Sequence, residues 1–235
     1  MRIEDLTRDE FSAAINLDPI IILPLGATEA HGPHLPLGTD SLQPEWVADQ
    51  LAERIGALVA PPIRYGMHSS TRNMPGTIDL SFDTLYHLIS DILESLVRNG
   101  AKRFLVLSGH AGGSHMTAIK EACRRTATAY DSRIMFLSDY DLAAELAPRR
   151  GVAPKDGHGG EVETSRIMHI RPDLVGDDRP EGEFISHGFM VLPDPECCFP
   201  QGFAGEPAKA TAELGEELNW HVVKRLEELI MRDGL

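Results

Sequence analysis

The segment PLGATEAHGPHLPLGTD, residues 24–40, gathers Glu29, His31, His34 and Asp40 among three prolines and three glycines. Those polar groups either decorate a surface loop or are held rigid because they ligate something. Glu29 and His31 are two residues apart, so in an extended segment their side chains point the same way. Asp40 returns after the proline-stiffened loop. Carboxylate oxygen plus imidazole nitrogen, without thiolate, suits Zn²⁺, Mn²⁺ or Fe²⁺. One aspartate can bridge two ions through its two oxygens. Two ions roughly 3.5–4 Å apart would share a hydroxide nucleophile and polarise a carbonyl.

Two further clusters follow. LSGHAGGSH carries His110, and DGHGGEVETS carries His158, Glu161 and Glu163. A lone histidine beside an acid is ordinarily a surface or satisfied core residue. Three such clusters at strand ends or glycine-rich turns make a metal site a real competitor. The glycines serve as turn formers or let backbone approach a ligand closely. His34, His68, His87, His115, His169, His187 and His221 are read as structural or surface residues. Trp46, Trp220 and the four tyrosines are read as core or interface.

The elements that must position these groups alternate. Apolar runs bounded by turn residues predict strands over 19–26, 57–63, 102–109 and 133–139. Helical periodicity predicts helices over 41–55, 83–99, 116–130, 161–169 and 208–231. Alternation implies an α/β fold: a single layered domain, residues 1–235, with a mostly parallel central sheet flanked by helices. Ligands bind beyond the carboxyl ends of such strands. Glu29, His31 and His110 lie just past the first and third strands, so residues distant in sequence reach one rim. Asp139 and Asp141, near the end of the fourth, are read as supports for it. Residues 171–207 read as an excursion from the domain.

Composition bounds the function. At 235 residues, 42% hydrophobic and 25% charged, the chain suits one soluble domain. A net charge of -14 argues against nucleic acid. No apolar run is long enough for a membrane span, and the polar N-terminus reads as no secretory signal. The cysteines, Cys123 and the adjacent Cys197 and Cys198, have neither a disulfide framework nor the spacing of a cysteine zinc site. They suggest a reducing compartment, the cytoplasm.

Together, LPLGATEAHGPHLPLGTD, YGMHSSTRNMPGT, LSGHAGGSH, GHGGEVETS and GEPAKATAELGEEL resemble the signature segments of the creatininase family of metal-dependent amidohydrolases. The resemblance implies a hydrolase of C–N bonds in small polar, often cyclic, amides or formamides. It also implies two divalent ions per chain, zinc first, with iron or manganese at one site, and a homo-oligomer, commonly a hexamer. Carried over, it implies that Glu29 and His31 bind different ions, that Asp40 bridges them and that His110 shares the ion of Glu29. His158 matches the general acid/base that delivers a proton to the leaving nitrogen.

The chain departs from the creatinine-hydrolysing pattern after His110: Gly112 stands where a second-metal glutamate is expected. Glu163 is the first candidate to supply that oxygen and Glu161 the second. Either could instead orient a ligand histidine or sit as an acid at a helix start. Tyr140, Pro154 and Lys155 stand where two pocket tryptophans are expected. Lys155 would either favour an anionic group on the substrate or stay solvated. These departures count against creatinine itself. Other branches of the family cleave a formamide on a ribosylaminopyrimidine or trim the mycofactocin precursor peptide. A non-catalytic binding module is the alternative from another class.

Overall fold

The computed structural model describes residues 1–154, 156–193 and 195–235. Strand β1, Ile20–Leu25, is buried along its whole length. It pairs in parallel with β2, Leu58–Val59, on one side and β3, Arg103–Ser108, on the other. Beyond β3 lies β4, Arg133–Ser138, giving the order β2-β1-β3-β4. The expected layered α/β domain is what the chain forms.

Successive side chains of a strand point to opposite faces, and the core divides accordingly. Ile20 and Ile22 of β1 pack with Leu105 and Leu107 of β3 beneath α2, Thr39–Ile55, α5, Asp139–Leu146, α6, Glu161–Ile170, and α7, Ala212–Asp233. Ile21, Leu23 and Leu25 join Phe104 and Val106 under α3, Phe82–Arg98, and α4, Gly113–Tyr130. Helices on both faces explain why β1 and β3 read as continuous apolar runs.

Several boundaries differ from expectation. The second strand shrinks from 57–63 to two residues, because Pro61 and Pro62 have no N–H to give the ladder. Ile63 rejoins as an isolated bridge to Leu25. The last helix starts at Ala212 rather than 208: Pro207–Lys209 closes a separate 3₁₀ turn, and Thr211 caps α7 by accepting from the Leu214 N–H. Two helices were not foreseen. One is α1, Arg8–Ile15, whose Thr7–Glu10 capping box fixes its start. The other, α5, follows β4 with no intervening loop.

The chain runs from β1 to β2 on one side and returns to β3 on the other, so the crevice opens between the carboxyl ends of β1 and β3. The first turn of α2 drops into that crevice, because glycine ends both strands. A Cβ on Gly26 would lie 2.4 Å from Ser41 Cα, and one on Gly109 would lie 2.1 Å from the Asp40 carbonyl oxygen. Asp40 is therefore a first-turn helical residue, seated directly on the strand ends.

Helix α6 is anchored by Arg166, which is fully buried. Its Nη2 donates to Asp139 Oδ2 at 2.7 Å and its Nε to Asn219 Oδ1 at 2.7 Å, tying α6 to α5 and α7. Asp139 thus supports the rim through α6. Arg166→Met should remove the partner of a buried carboxylate and cost about 3–5 kcal/mol of stability. Urea unfolding of purified protein measures this; a loss below about 1 kcal/mol would show that the pair is not the anchor.

Candidate active site

Glu29, His31 and Asp40 reach the rim on the segment after β1. Its loop is closed by Glu29 N–H donating to the Leu37 carbonyl at 2.9 Å. His34, buried, braces it from below: its Nε2 stands 2.9 Å from the Gly159 carbonyl and 3.1 Å from Thr164 Oγ1. His34 is thus structural, as expected.

The histidine tautomers follow from their neighbours. A carbonyl oxygen only accepts, so a ring nitrogen bonded to one must carry the hydrogen. His31 Nδ1 lies 3.0 Å from the Glu29 carbonyl, which leaves Nε2 as the nitrogen open to a proton or a metal ion. That Nε2 faces Asp40 Oδ1 at 2.9 Å and Glu163 Oε1 at 3.9 Å. His110 Nε2 lies 3.2 Å from the Met67 carbonyl, so Nδ1 is its nitrogen open to a proton or a metal ion. That Nδ1 faces Asp40 Oδ2 at 2.9 Å and Glu29 Oε2 at 3.0 Å.

Glu29 Oε2, Asp40 Oδ2 and His31 Nε2 are buried with no other hydrogen-bond partner. A carboxylate this close to such a nitrogen is balanced by a proton on the ring or by a metal cation in its place. Three overlapping sets of donors could hold such a cation: Glu29, His68 and His110; Glu29, His31 and His158; and His31, Asp40 and Glu163. The oxygen and nitrogen donors fit a divalent ion such as zinc or manganese.

Protons respond to the same field. Burial works against ionising Asp40, yet His31 and His110 pull its carboxyl down to about 2. Burial likewise works against charging His31, but Asp40, then Glu163 and Glu29, hold it up at about 10. His110 is raised well above its usual range against burial by Glu29 and Asp40. Burial pushes the Glu163 carboxyl up; His31 opposes this and Asp40 reinforces it.

His158 lines the cavity, its ring centroid 4.2 Å from that of His31. Its Nε2 is 3.0 Å from the Ala30 carbonyl, leaving Nδ1 as the basic nitrogen. Glu163 accepts from the Gly159 N–H through Oε2 and turns Oε1 toward His31. Glu161, two residues earlier, faces Lys209 and Glu206 instead. Gly112 lines the cavity, and a Cβ there would come within 2.6 Å of His110 Nε2, the nitrogen held by Met67. A glutamate at that position would have to displace the ring.

His68 was read as structural or surface, yet it is buried with Nδ1 3.3 Å from Glu29 Oε2. Thr71 donates its hydroxyl to Glu29 Oε1. Both lie in YGMHSSTRNMPGT, whose histidine and hydroxyl cluster was the available signal. His115 is structural as expected: burial pushes it down to about 2, and its Nδ1 accepts from the Met67 N–H at 3.3 Å.

The cavity over the carboxylates has a volume of 240 Å³ and includes Tyr140, Glu163 and Phe199 in its wall. The Tyr140 hydroxyl reaches the Asp156 carbonyl at 3.4 Å. Phe199, from the 171–207 excursion, meets the His158 ring edge-on at 5.7 Å and Phe184 at 5.1 Å. The sequence gives no sign of these two phenylalanines, because the excursion that carries them has no repeat period to say which way a side chain faces. Lys155 lies outside the described residues. Trp46 and Trp220 pack on each other at 5.2 Å, on α2 and α7.

Residues 4–230 match the creatininase family, described as creatinine amidohydrolase. The creatinine amidohydrolase of Pseudomonas putida is 34% identical over 223 residues, covering 88% of this chain and 84% of that protein. The mycofactocin precursor peptide peptidase of Mycolicibacterium smegmatis is 30% identical over 231 residues, covering 91% and 85%. A mutant creatininase of Zn-Zn type superposes with a TM-score of 0.90 at 28% identity, over 99% of this chain and 97% of the other. A structure described as creatininase Mn gives 0.87 at 30% identity, over 99% and 98%. On its sequence and its fold alike, the chain belongs to the creatininase family.

Proposed function

We propose that this protein is a binuclear metal-dependent hydrolase that cleaves the C–N bond of a small polar, possibly cyclic, amide or formamide. One observation carries the reading. The two oxygens of Asp40 each stand 2.9 Å from an imidazole nitrogen that the ring's other bond, to a backbone carbonyl, leaves open to a proton or a metal ion. Glu29, Asp40 and His110 then hold one ion, with His68 beside them. His31, Asp40 and Glu163 hold the other, so Glu163 supplies the oxygen that Gly112 does not. Zinc is the first choice, with iron or manganese at one position. Bound divalent ions supply Lewis acidity toward the amide carbonyl and lower the pKa of water.

The chain's own groups do the rest. His158, fixed through Nε2–H on Ala30, offers Nδ1 as the acid/base that moves a proton to the leaving nitrogen. Tyr140 and Phe199 shape the wall against which the substrate lies. Glu161 is a helix-start acid in this reading, its charge directed to Lys209. The enzyme works in the cytoplasm, as a sequence with no disulfide framework supports, and as a homo-oligomer, a hexamer by family resemblance. No helix among the described residues is long and apolar enough to cross a membrane.

A second reading, a peptide amide as substrate, has its own support. The cavity adjoins a larger one of 900 Å³ that shares Gly157 and Phe199 and extends to Phe184 and Gln201. That space suits a substrate longer than a five-membered ring.

Four outcomes are expected. Divalent ion at about 100 times its dissociation constant should stabilise the chain by about 2.7 kcal/mol in thermal denaturation. Asp40→Asn should lose that gain and both ions by metal analysis; retention of two tightly bound ions per chain would refute bridging. His158→Ala should keep the metals and the fold but lose roughly 10²-fold or more in turnover. Intact turnover in that variant would move the proton shuttle elsewhere. Creatinine should be turned over with kcat/KM below about 10⁴ M⁻¹s⁻¹, and a larger polar amide or short peptide faster. Steady-state assays of metal-loaded protein decide this, and efficient creatinine hydrolysis would overturn the pocket reading.

A further inference from the structure

The excursion after α6 leaves and rejoins the domain where Gly182 and Gly205 exchange backbone hydrogen bonds. Farther out it folds back on itself, and the Ile185 N–H donates to the Cys198 carbonyl at 2.9 Å. This brings His187 on the outgoing arm against Cys197 and Cys198 on the returning arm. His187 Nε2 lies 3.5 Å from Cys197 Sγ. The ligand atoms of all three residues lie within 4.8 Å of one another.

Adjacent cysteines by themselves lack the spacing of a zinc motif. The fold supplies the missing donor from ten residues upstream. Two sulfurs and one imidazole nitrogen form a borderline-soft set that selects zinc or copper(I) rather than magnesium or calcium. Zinc bonds of about 2.0–2.3 Å set tetrahedral donors roughly 3.5 Å apart. Closing by about an ångström therefore brings these three onto one ion. The cluster faces solvent, which leaves water for the fourth position.

We propose that His187, Cys197 and Cys198 bind a Zn²⁺ ion at a site separate from the active centre, and that this ion clips the two arms of the excursion together. Binding replaces one proton on each thiol and releases both to solvent. The clip matters for what lies beside it. Glu196 accepts from the Asn73 N–H at 2.8 Å, and Arg72 Nη2 donates to the Pro193 carbonyl at 3.3 Å. Phe199 is the next residue after Cys198 and packs on His158. The ion would thus hold the excursion against both the Thr71 loop and the His158 turn.

The donor chemistry separates this site from the first. Glu29, His31, Asp40, His68, His110 and Glu163 contain no sulfur, so a sulfur-to-cobalt charge-transfer band can report only on thiolates. The full-length protein is reduced, freed of reductant under nitrogen and counted for three reactive thiols after denaturation. It is then titrated with Co²⁺ alone and followed by near-ultraviolet absorbance. The expected result is a saturating charge-transfer band, retained in Asp40→Asn and in Cys123→Ser, abolished in the Cys197→Ser, Cys198→Ser double variant and displaced by Zn²⁺. His187→Ala should weaken cobalt binding at the band by at least about tenfold, the scale on which even supporting residues affect metal affinity. No band in wild-type protein with all three thiols reduced would overturn the proposal. So would a band that survives the double cysteine variant or is indifferent to His187→Ala. A Cys197–Cys198 disulfide that resists reduction would do the same. Because the band is read without substrate, its absence leaves the amidohydrolase reading untouched, and failure of the Asp40→Asn test leaves this one untouched.

Discussion

Asp40 presents each of its oxygens to an imidazole nitrogen that the ring's other hydrogen bond leaves open to a proton or a metal ion. That arrangement has to be held in place, because a desolvated carboxylate is costly unless positive charge stands beside it. The surrounding structure serves to impose it. Backbone carbonyls of Glu29 and Met67 fix the two rings. Glycines at the ends of β1 and β3 let α2 sit low enough for Asp40 to reach both. Placement in the first turn of α2 sets the helix's positive end behind the carboxylate, which offsets part of its burial.

The second layer of restraint works through α6. Glu163 can face His31 only if α6 enters at the right height. The Arg166 pair with Asp139 and the contact of Gly215 on the Ser165 carbonyl fix that height. Glycine at 215 is needed because a Cβ there would lie 1.8 Å from that oxygen. His34 couples the same turn to the first loop through Gly159 and Thr164. A displacement at α6 is therefore felt both at Glu163 beside His31 and at the loop that carries Glu29.

Much of this was legible in the sequence, for identifiable reasons. The apolar runs of β1 and β3 announce a sheet covered on both faces, and the rule that such sheets act at their carboxyl ends put Glu29, His31 and His110 on one rim. His68 was not legible, because a histidine after Tyr65-Gly66-Met67 has no periodic context and only the tertiary fold turns it toward Glu29. Phe184 and Phe199 escaped because they sit on an irregular excursion, where no repeat period says which way a side chain faces. The choice between Glu161 and Glu163 needed the helix phase: two residues along a helix point about 200° apart, so one faces Lys209 and the other His31.

The two imidazoles differ in how they meet solvent. His110 is 8% exposed and belongs to the cavity wall, whereas His31 is 0% exposed and does not. A small reagent in the cavity meets the His110 ring directly. It reaches the His31 ring only past Asp40, Glu163 and His158, which do line that wall. Chemical labelling of His110 therefore reports on the cavity itself, while labelling of His31 reports on how often its neighbours part.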